Sequence, residues 1–212
     1  MPARDYHESS WERIPPGLEP VRFPERLRFA LANIRPGQRV LDLGCGEGRF
    51  AQALAAAGAE VVCADVAQEP LRRVGAAHPA LATWLLDGEG DWGLADASFD
   101  AVWAGEVIEH VADTGRWLSE LRRVLRPHGT LLLSTPAHGA GELLRLALSA
   151  RARERHLDPR GEHLRFYTAA TLRALVADFG FEQIEVVVLG GPLGVLRGRE
   201  RTLLLSALRT RF

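Results

Sequence analysis

Lysine is missing altogether: the 26 basic residues are all arginine, which follows a compositional bias toward Arg, Ala and Leu. Cysteine is scarce. Cys45 and Cys63 are too few for a disulfide framework or a zinc site, and both fall in strand-like runs. An excess of one charge is lacking too, since 26 Arg against 27 acids leave a formal net charge of −1. Nothing in that total favours bulk affinity for nucleic acid or anionic lipid. No apolar run approaches the roughly 18 residues of a membrane span, and the first residues carry no apolar secretory segment. These absences predict a reduced, cytoplasmic protein of ordinary globular composition, 47% hydrophobic and 25% charged.

What is present is alternation. Residues 39–45, 60–65, 83–87, 99–104 and 130–134 read as strands, and 49–57, 68–77, 113–125 and 168–179 as helices. In 113–125 the stripe is Trp117, Leu118, Leu121 and Leu125, stopped by Pro127–Gly129. Two further strands, 185–189 and 202–208, follow with only a Gly/Pro loop at 190–194 between them. Repeated βα units predict an α/β fold, a doubly wound, mostly parallel seven-stranded sheet with helices on both faces. The missing last helix predicts an antiparallel final strand. There is no repeat or linker, so 1–212 is expected to be one domain. Two segments stand outside the alternation: a Pro- and charge-rich 1–20 and a Leu/Arg-rich 139–167.

The sharpest local signal is ValLeuAspLeuGlyCysGlyGluGlyArgPhe at 40–50. A strand ends, Gly44, Gly46 and Gly48 follow at alternate positions, and a helix begins. Glycine lets a backbone approach a ligand closely, and a helix start offers free N–H groups. The dinucleotide fingerprint needs glycine where Arg49 stands, which disfavours a nucleotide-binding oxidoreductase. Further along, Asp65 and Asp87 each end a strand, and 96–111 and 121–136 each join an apolar strand to a turn or helix.

Taken in order, these motifs resemble the class I S-adenosylmethionine-dependent methyltransferases, specifically the type 11 group, over about residues 36–135 and more loosely 160–190. The resemblance implies a Rossmann-like fold and S-adenosylmethionine as cofactor. It implies that Asp65 accepts both ribose hydroxyls, Val66 faces the adenine, and Asp87 with Gly88 meets the adenine amino group. Asp42, Gly44, Cys45, Gly46, Gly48 and Glu106 would surround the methionine end.

GlyGluValIleGluHisVal (105–111) sits where the fourth strand meets the next helix. If that turn is helical, Glu106, Glu109 and His110 share one face, a half-site for a divalent cation. The pattern looks like two relatives that use such an ion, the ubiquinone-biosynthesis O-methyltransferases and the small-RNA 2′-O-methyltransferases; in the latter a downstream His, here His163, completes the set. Two carboxylates and two imidazoles suit Mn²⁺ better than Mg²⁺. Without an ion, His110 or His163 becomes the candidate general base, with Glu106 bounding the methionine pocket.

The expected reaction is methyl transfer to a small molecule, at a hydroxyl in preference to nitrogen or carbon. The alternative is RNA 2′-O-methylation, against which the lack of a strong basic stripe argues. The charge is unevenly spread: residues 141–212 hold 12 Arg against 8 acids. That excess could face an anionic substrate, though solvated helix faces give the same count. Segment 139–167 is expected to cover the substrate, with 141–157 alternatively forming a basic helix that touches a membrane surface. Residues 1–20 would cap the pocket through Tyr6, Trp11 and the Pro15–Pro16 turn.

Overall fold

The computed structural model describes residues 3–88, 90–158, 161–191 and 201–211. Seven strands form one sheet: β1 (Arg39–Leu43), β2 (Glu60–Asp65), β3 (Ala82–Leu85), β4 (Phe99–Gly105), β5 (Leu125–Pro136), β6 (Phe181–Leu189) and β7 (Thr202–Arg209). Their order is β3-β2-β1-β4-β5-β7-β6. The first five run parallel, and β7 runs antiparallel to both neighbours, as the missing helix predicts. The loop expected at 190–194 lies mostly outside the described residues.

Both faces of the sheet are covered, so its central strands are apolar at almost every position. Val102, Ala104, Leu131 and Leu133 pack with Trp117, Leu118 and Leu121 of α5 (Thr114–Val124) and with Leu172 and Val176 of α8 (Ala169–Asp178). The alternate residues Val40, Ala101, Trp103 and Leu132 face the other way. They meet α2 (Phe23–Asn33), α3 (Arg49–Ala56) and α4 (Gln68–Ala77) through Ala30, Phe50, Leu54 and Leu71. Each fully buried Leu contributes roughly 1.5–3 kcal/mol.

Three local features differ from the sequence reading. The helix α2 was not expected from the pattern. Pro127–Gly129 does not simply stop a helix: α5 ends at Val124, Leu125 is already extended, and the segment forms an irregular first part of β5. There the β4–β5 register shifts between Phe99 and Ala101, and His128 takes φ +63°. Proline at 127 makes helical geometry unfavourable for Arg126, so the chain turns extended early. The third difference is the turn after β4, described below.

The Leu/Arg segment forms two short helices, α6 (Ala140–Leu148) and α7 (Ala150–His156), with the Ser149 hydroxyl accepting from the Ala152 N–H between them. None of the residues of α6 is buried, and Leu143, Leu144 and Leu148 are exposed. Among the described residues no helix is long and apolar enough to cross a membrane.

Candidate active site

Strand order reverses between β1 and β4, and in such sheets a ligand sits beyond the strand ends at that point. A cavity of about 280 Å³ opens there. Its floor is Leu43 and Gly44 after β1, Asp65 and Val66 after β2, and Glu106 and Val107 after β4. Leu86, Gly88, Trp92 and Trp117 close one side, and His7, Ser10, Trp11 and Ile14 the other.

The backbone makes this shape possible. Gly44 has φ +68°, and a Cβ there would lie 2.5 Å from Val107 Cγ2. Gly46 has φ +53°, and a Cβ there would lie 3.0 Å from the Trp11 ring. The Gly44 N–H donates to the Ala64 carbonyl at 2.8 Å, which ties the loop to the end of β2.

Asp65 is buried, and its Oδ1 accepts from the Ala67 N–H at 3.0 Å. Burial raises its pKa to about 6, against the pull of the backbone N–H groups of Ala67, Gly46 and Val66. Asp42 is buried as well, its pKa pushed up to about 7 mainly by burial, with one carboxylate oxygen that has no hydrogen-bond partner among the described residues. It does not line the cavity, and neither do Cys45, Gly46 or Gly48. Asp87 does not line the cavity; its side chain is 90% exposed and accepts from Arg4 at 3.1 Å. Gly88 does line the cavity.

The N-terminal segment forms a helix, α1 (Ala3–Arg13), laid over this mouth. Glu8 accepts from the N–H groups of Gln68 and Glu69 and so caps the start of α4. Arg4 grips the Leu86 carbonyl at 2.7 Å, and Arg73 grips the Trp11 carbonyl at 2.9 Å. Trp11 lines the cavity as expected; Tyr6 and Pro15 do not.

The turn after β4 corrects one expectation. Glu106 takes left-handed φ +61°, and only Ile108–His110 is helical, as a single 3₁₀ turn. Glu106 therefore leaves the face that carries Glu109 and His110. Its Oε1 instead accepts from Ser134 Oγ at 2.9 Å, with Arg26 Nε 3.9 Å away.

Glu109, His110 and His163 do come together, with one potential ligand atom from each lying within 4.8 Å of the others. Glu109 is fully buried, one oxygen accepting from Thr135 Oγ1 at 3.0 Å while Oε1 has no hydrogen-bond partner among the described residues. Burial, then the charge of Glu106, pushes its pKa up to about 8. His110 Nδ1 lies 3.0 Å from the Glu162 carbonyl, which can only accept, so that nitrogen carries the proton and Nε2 keeps its lone pair. Burial and His163 hold its pKa down. The Glu109 carbonyl accepts from the N–H groups of Leu164 and Arg165, which brings the His163 loop across.

The sequence reading missed Arg26, Thr135, Trp92 and Trp117. Arg26 is buried between Phe50 and Trp103, its pKa lowered by burial despite the nearby Glu106, Glu109 and Asp42. The one available signal was SerThrPro following the apolar run Leu131–Leu133 at the end of β5, beside β4.

A family model described as "Methyltransferase domain" matches residues 18–186. The chain belongs to the methyltransferase-domain family. Relatives agree with this. A ubiquinone biosynthesis O-methyltransferase of Azorhizobium caulinodans is 36% identical over 175 residues, 78% of this chain and 67% of that protein. A probable S-adenosylmethionine-dependent methyltransferase of Mycolicibacterium smegmatis is 35% identical, covering 81% and 64%. A malonyl-[acyl-carrier protein] O-methyltransferase of Erwinia billingiae is 40% identical over 49% of this chain and 41% of its own. The chain thus spans only part of the length of these curated relatives. Among solved structures, the methyltransferase in a Haloferax volcanii complex with the Trm112 activator superimposes with TM-score 0.73 at 19% identity, covering 99% of this chain and 98% of that one.

This methyltransferase domain takes S-adenosylmethionine as its cofactor, and the cavity fits its adenosine end. A buried acid sits between apolar walls, beside a glycine backbone that a side chain would block.

Proposed function

We propose that this methyltransferase domain transfers the methyl group of S-adenosylmethionine to a hydroxyl of a small molecule, with a divalent cation held by Glu109, His110 and His163. The observation that carries the reading is the convergence of those three side chains beside the cofactor cavity, with the buried Glu109 Oε1 left without a partner among the described residues. A carboxylate with two imidazoles suits Mn²⁺, Fe²⁺ or Co²⁺. When bound, such an ion supplies a Lewis acid that lowers the pKa of the acceptor hydroxyl.

The residues of the chain do the remaining work. Asp65, ionised, accepts the ribose hydroxyls, and Val66 and Leu86 cover the adenine. Gly44 admits the methionine backbone close to β1, with Glu106, oriented by Ser134, at the edge of that space. Thr135 fixes the Glu109 carboxylate, and the Glu162 carbonyl fixes the His110 tautomer. Catalysis is then mainly positioning, since the sulfonium methyl is already electrophilic. The O-methyltransferase names of two relatives support oxygen as the acceptor atom.

The test is Mn²⁺ binding followed by electron paramagnetic resonance, alongside methyl transfer to a panel of hydroxyl and amine acceptors. The expected result is one bound Mn²⁺, lost in Glu109→Gln, and transfer to hydroxyls that stops on chelation and returns with Mn²⁺. Full activity in chelator with no bound ion would overturn the metal and leave His110 Nε2 as a general base. Transfer to amines alone would overturn the hydroxyl.

A further inference from the structure

A second cavity, of about 490 Å³, lies on the far side of Glu162 and His163 from the cofactor cavity. Glu162 lines both spaces, and His163 belongs to the three-residue cluster and to the wall of this second space. The remaining walls come from the end of β5, from α6 and α7, and from Arg201 just before β7.

Its chemistry is unlike that of the first cavity. Arg145, Arg155 and Arg201 line it together with His138 and His156. The acids on the wall are Glu142, Asp158 and Glu162. Glu142 is already clamped by Arg145, which donates from Nε at 3.0 Å and from Nη2 to the other oxygen. Arg155 is exposed and has no hydrogen bond or ion pair among the described residues, and Arg201 uses only Nε, toward the Gly190 carbonyl at 3.2 Å. Three rings lie alongside: His156 and Phe166 have centroids 4.4 Å apart, and His138 stands edge-on to Phe166 at 4.9 Å. Guanidinium groups with free donors present a fork that matches the two oxygens of a carboxylate or phosphate. Ring faces beside them suit the organic body that carries the anion better than a hydrated inorganic ion.

We infer that this cavity is an acceptor subsite that binds the anionic group, carboxylate or phosphate, of an organic acceptor through Arg155 and Arg201. The inference rests on the proposed reading of the neighbouring site, because His163 is what joins the two. An acceptor held this way would have its anion among the arginines and its reacting group toward His163 and the cofactor.

The experiment uses the full chain saturated with S-adenosylhomocysteine and follows ligand binding by fluorine NMR. The probes are para-fluorobenzoate, para-fluorophenyl phosphate and the neutral para-fluorobenzyl alcohol, with inorganic phosphate as competitor. The expected result is that at least one organic anion binds about tenfold or more tighter than the alcohol, and which one binds tells carboxylate from phosphate. Arg155→Gln should weaken that anion by about tenfold, while Arg151→Gln, on the same exposed helix but off the cavity wall, should leave it unchanged. Equal binding of anions and alcohol, no binding of either organic anion, displacement by inorganic phosphate at equal affinity, or indifference to Arg155→Gln would each overturn the subsite. Mn²⁺ binding, measured on the same variants, stays intact if only the subsite fails and is lost if the proposed metal reading fails.

Discussion

The two cavities that meet at Glu162 are built in opposite ways. The first is enclosed by strand ends and by side chains from the core: Leu86, Trp92 and Trp117 are all nearly inaccessible to solvent. The second takes part of its wall from two short helices, of which α6 buries none of its residues and α7 buries only Ala152, and the rest from the end of β5, Asp158, the 161–166 loop and Arg201. The difference teaches where each half of the chemistry is specified. Cofactor geometry is set by the sheet, and a change there disturbs the core. In the proposed subsite, acceptor geometry is set jointly by the helices appended after β5, through Arg155, and by Arg201 just before β7.

The comparison would break most visibly at Asp65. Asp65→Ala removes two charge-assisted hydrogen bonds to ribose, so calorimetry should find S-adenosylhomocysteine bound about 2–4 kcal/mol more weakly. Unchanged affinity would remove Asp65 from the site. The same carboxylate sets a pH signature. Its pKa in the free protein, raised to about 6 mainly by burial, means binding selects the ionised form. Affinity should be flat above that pH and fall toward about tenfold per unit below it.

On the acceptor side the expected effect falls on turnover rather than on cofactor affinity. Glu109→Ala and His163→Ala should each cost about 3 kcal/mol of barrier, and the double variant should lose little more, because both disable one unit. A large rise in the S-adenosylhomocysteine dissociation constant in either would merge the two regions functionally.

Glu8→Gln sharpens the boundary from the other end. Weakening the carboxylate cap on α4 should loosen α1 by about 1 kcal/mol and lower cofactor affinity by a few fold with acceptor binding unaltered. A still smaller effect concerns stability. Asp42, raised to about 7 by burial, is favoured when protonated. Its contribution is complete below its ordinary unfolded pKa and is lost as pH rises through its folded value. Thermal denaturation of the free protein should therefore drop by a few degrees between mildly acid and mildly alkaline pH, and Asp42→Asn should flatten the drop. Last, amide exchange should be faster across 140–156 than across α3 or α5, since few buried contacts hold α6 and α7. Equal protection would make the appended helices part of the scaffold.

The cofactor half was legible because its signals are local. Gly44 follows β1 and Asp65 ends β2, strands whose apolar runs are unmistakable, and both line the cavity at those strand ends. Glu106 was misread for a physical reason: counting by helical periodicity assumes helical dihedrals, and the chain takes a left-handed step at that residue. Arg26 was illegible because its role comes from distance in sequence. It lies on α2, before the first strand, and reaches Glu106 only because Phe50 and Trp103 hold its guanidinium between them. His163 was found by resemblance, and its approach depends on backbone bonds to the Glu109 carbonyl that no side-chain pattern encodes.

The placement of β7 has a consequence in time. It stands between β5 and β6, although it is synthesised after both, and β6 has no other neighbour in the sheet. As the chain leaves the ribosome, the open edge of β5 and the whole of β6 therefore wait for Thr202–Arg209. During that interval two unpaired edges coexist in one molecule, the condition in which strands pair wrongly with each other or with a neighbouring chain. Translation through Thr202–Arg209 is thus the step at which this sheet is most exposed, and a pause there would be felt as aggregation rather than as lost catalysis.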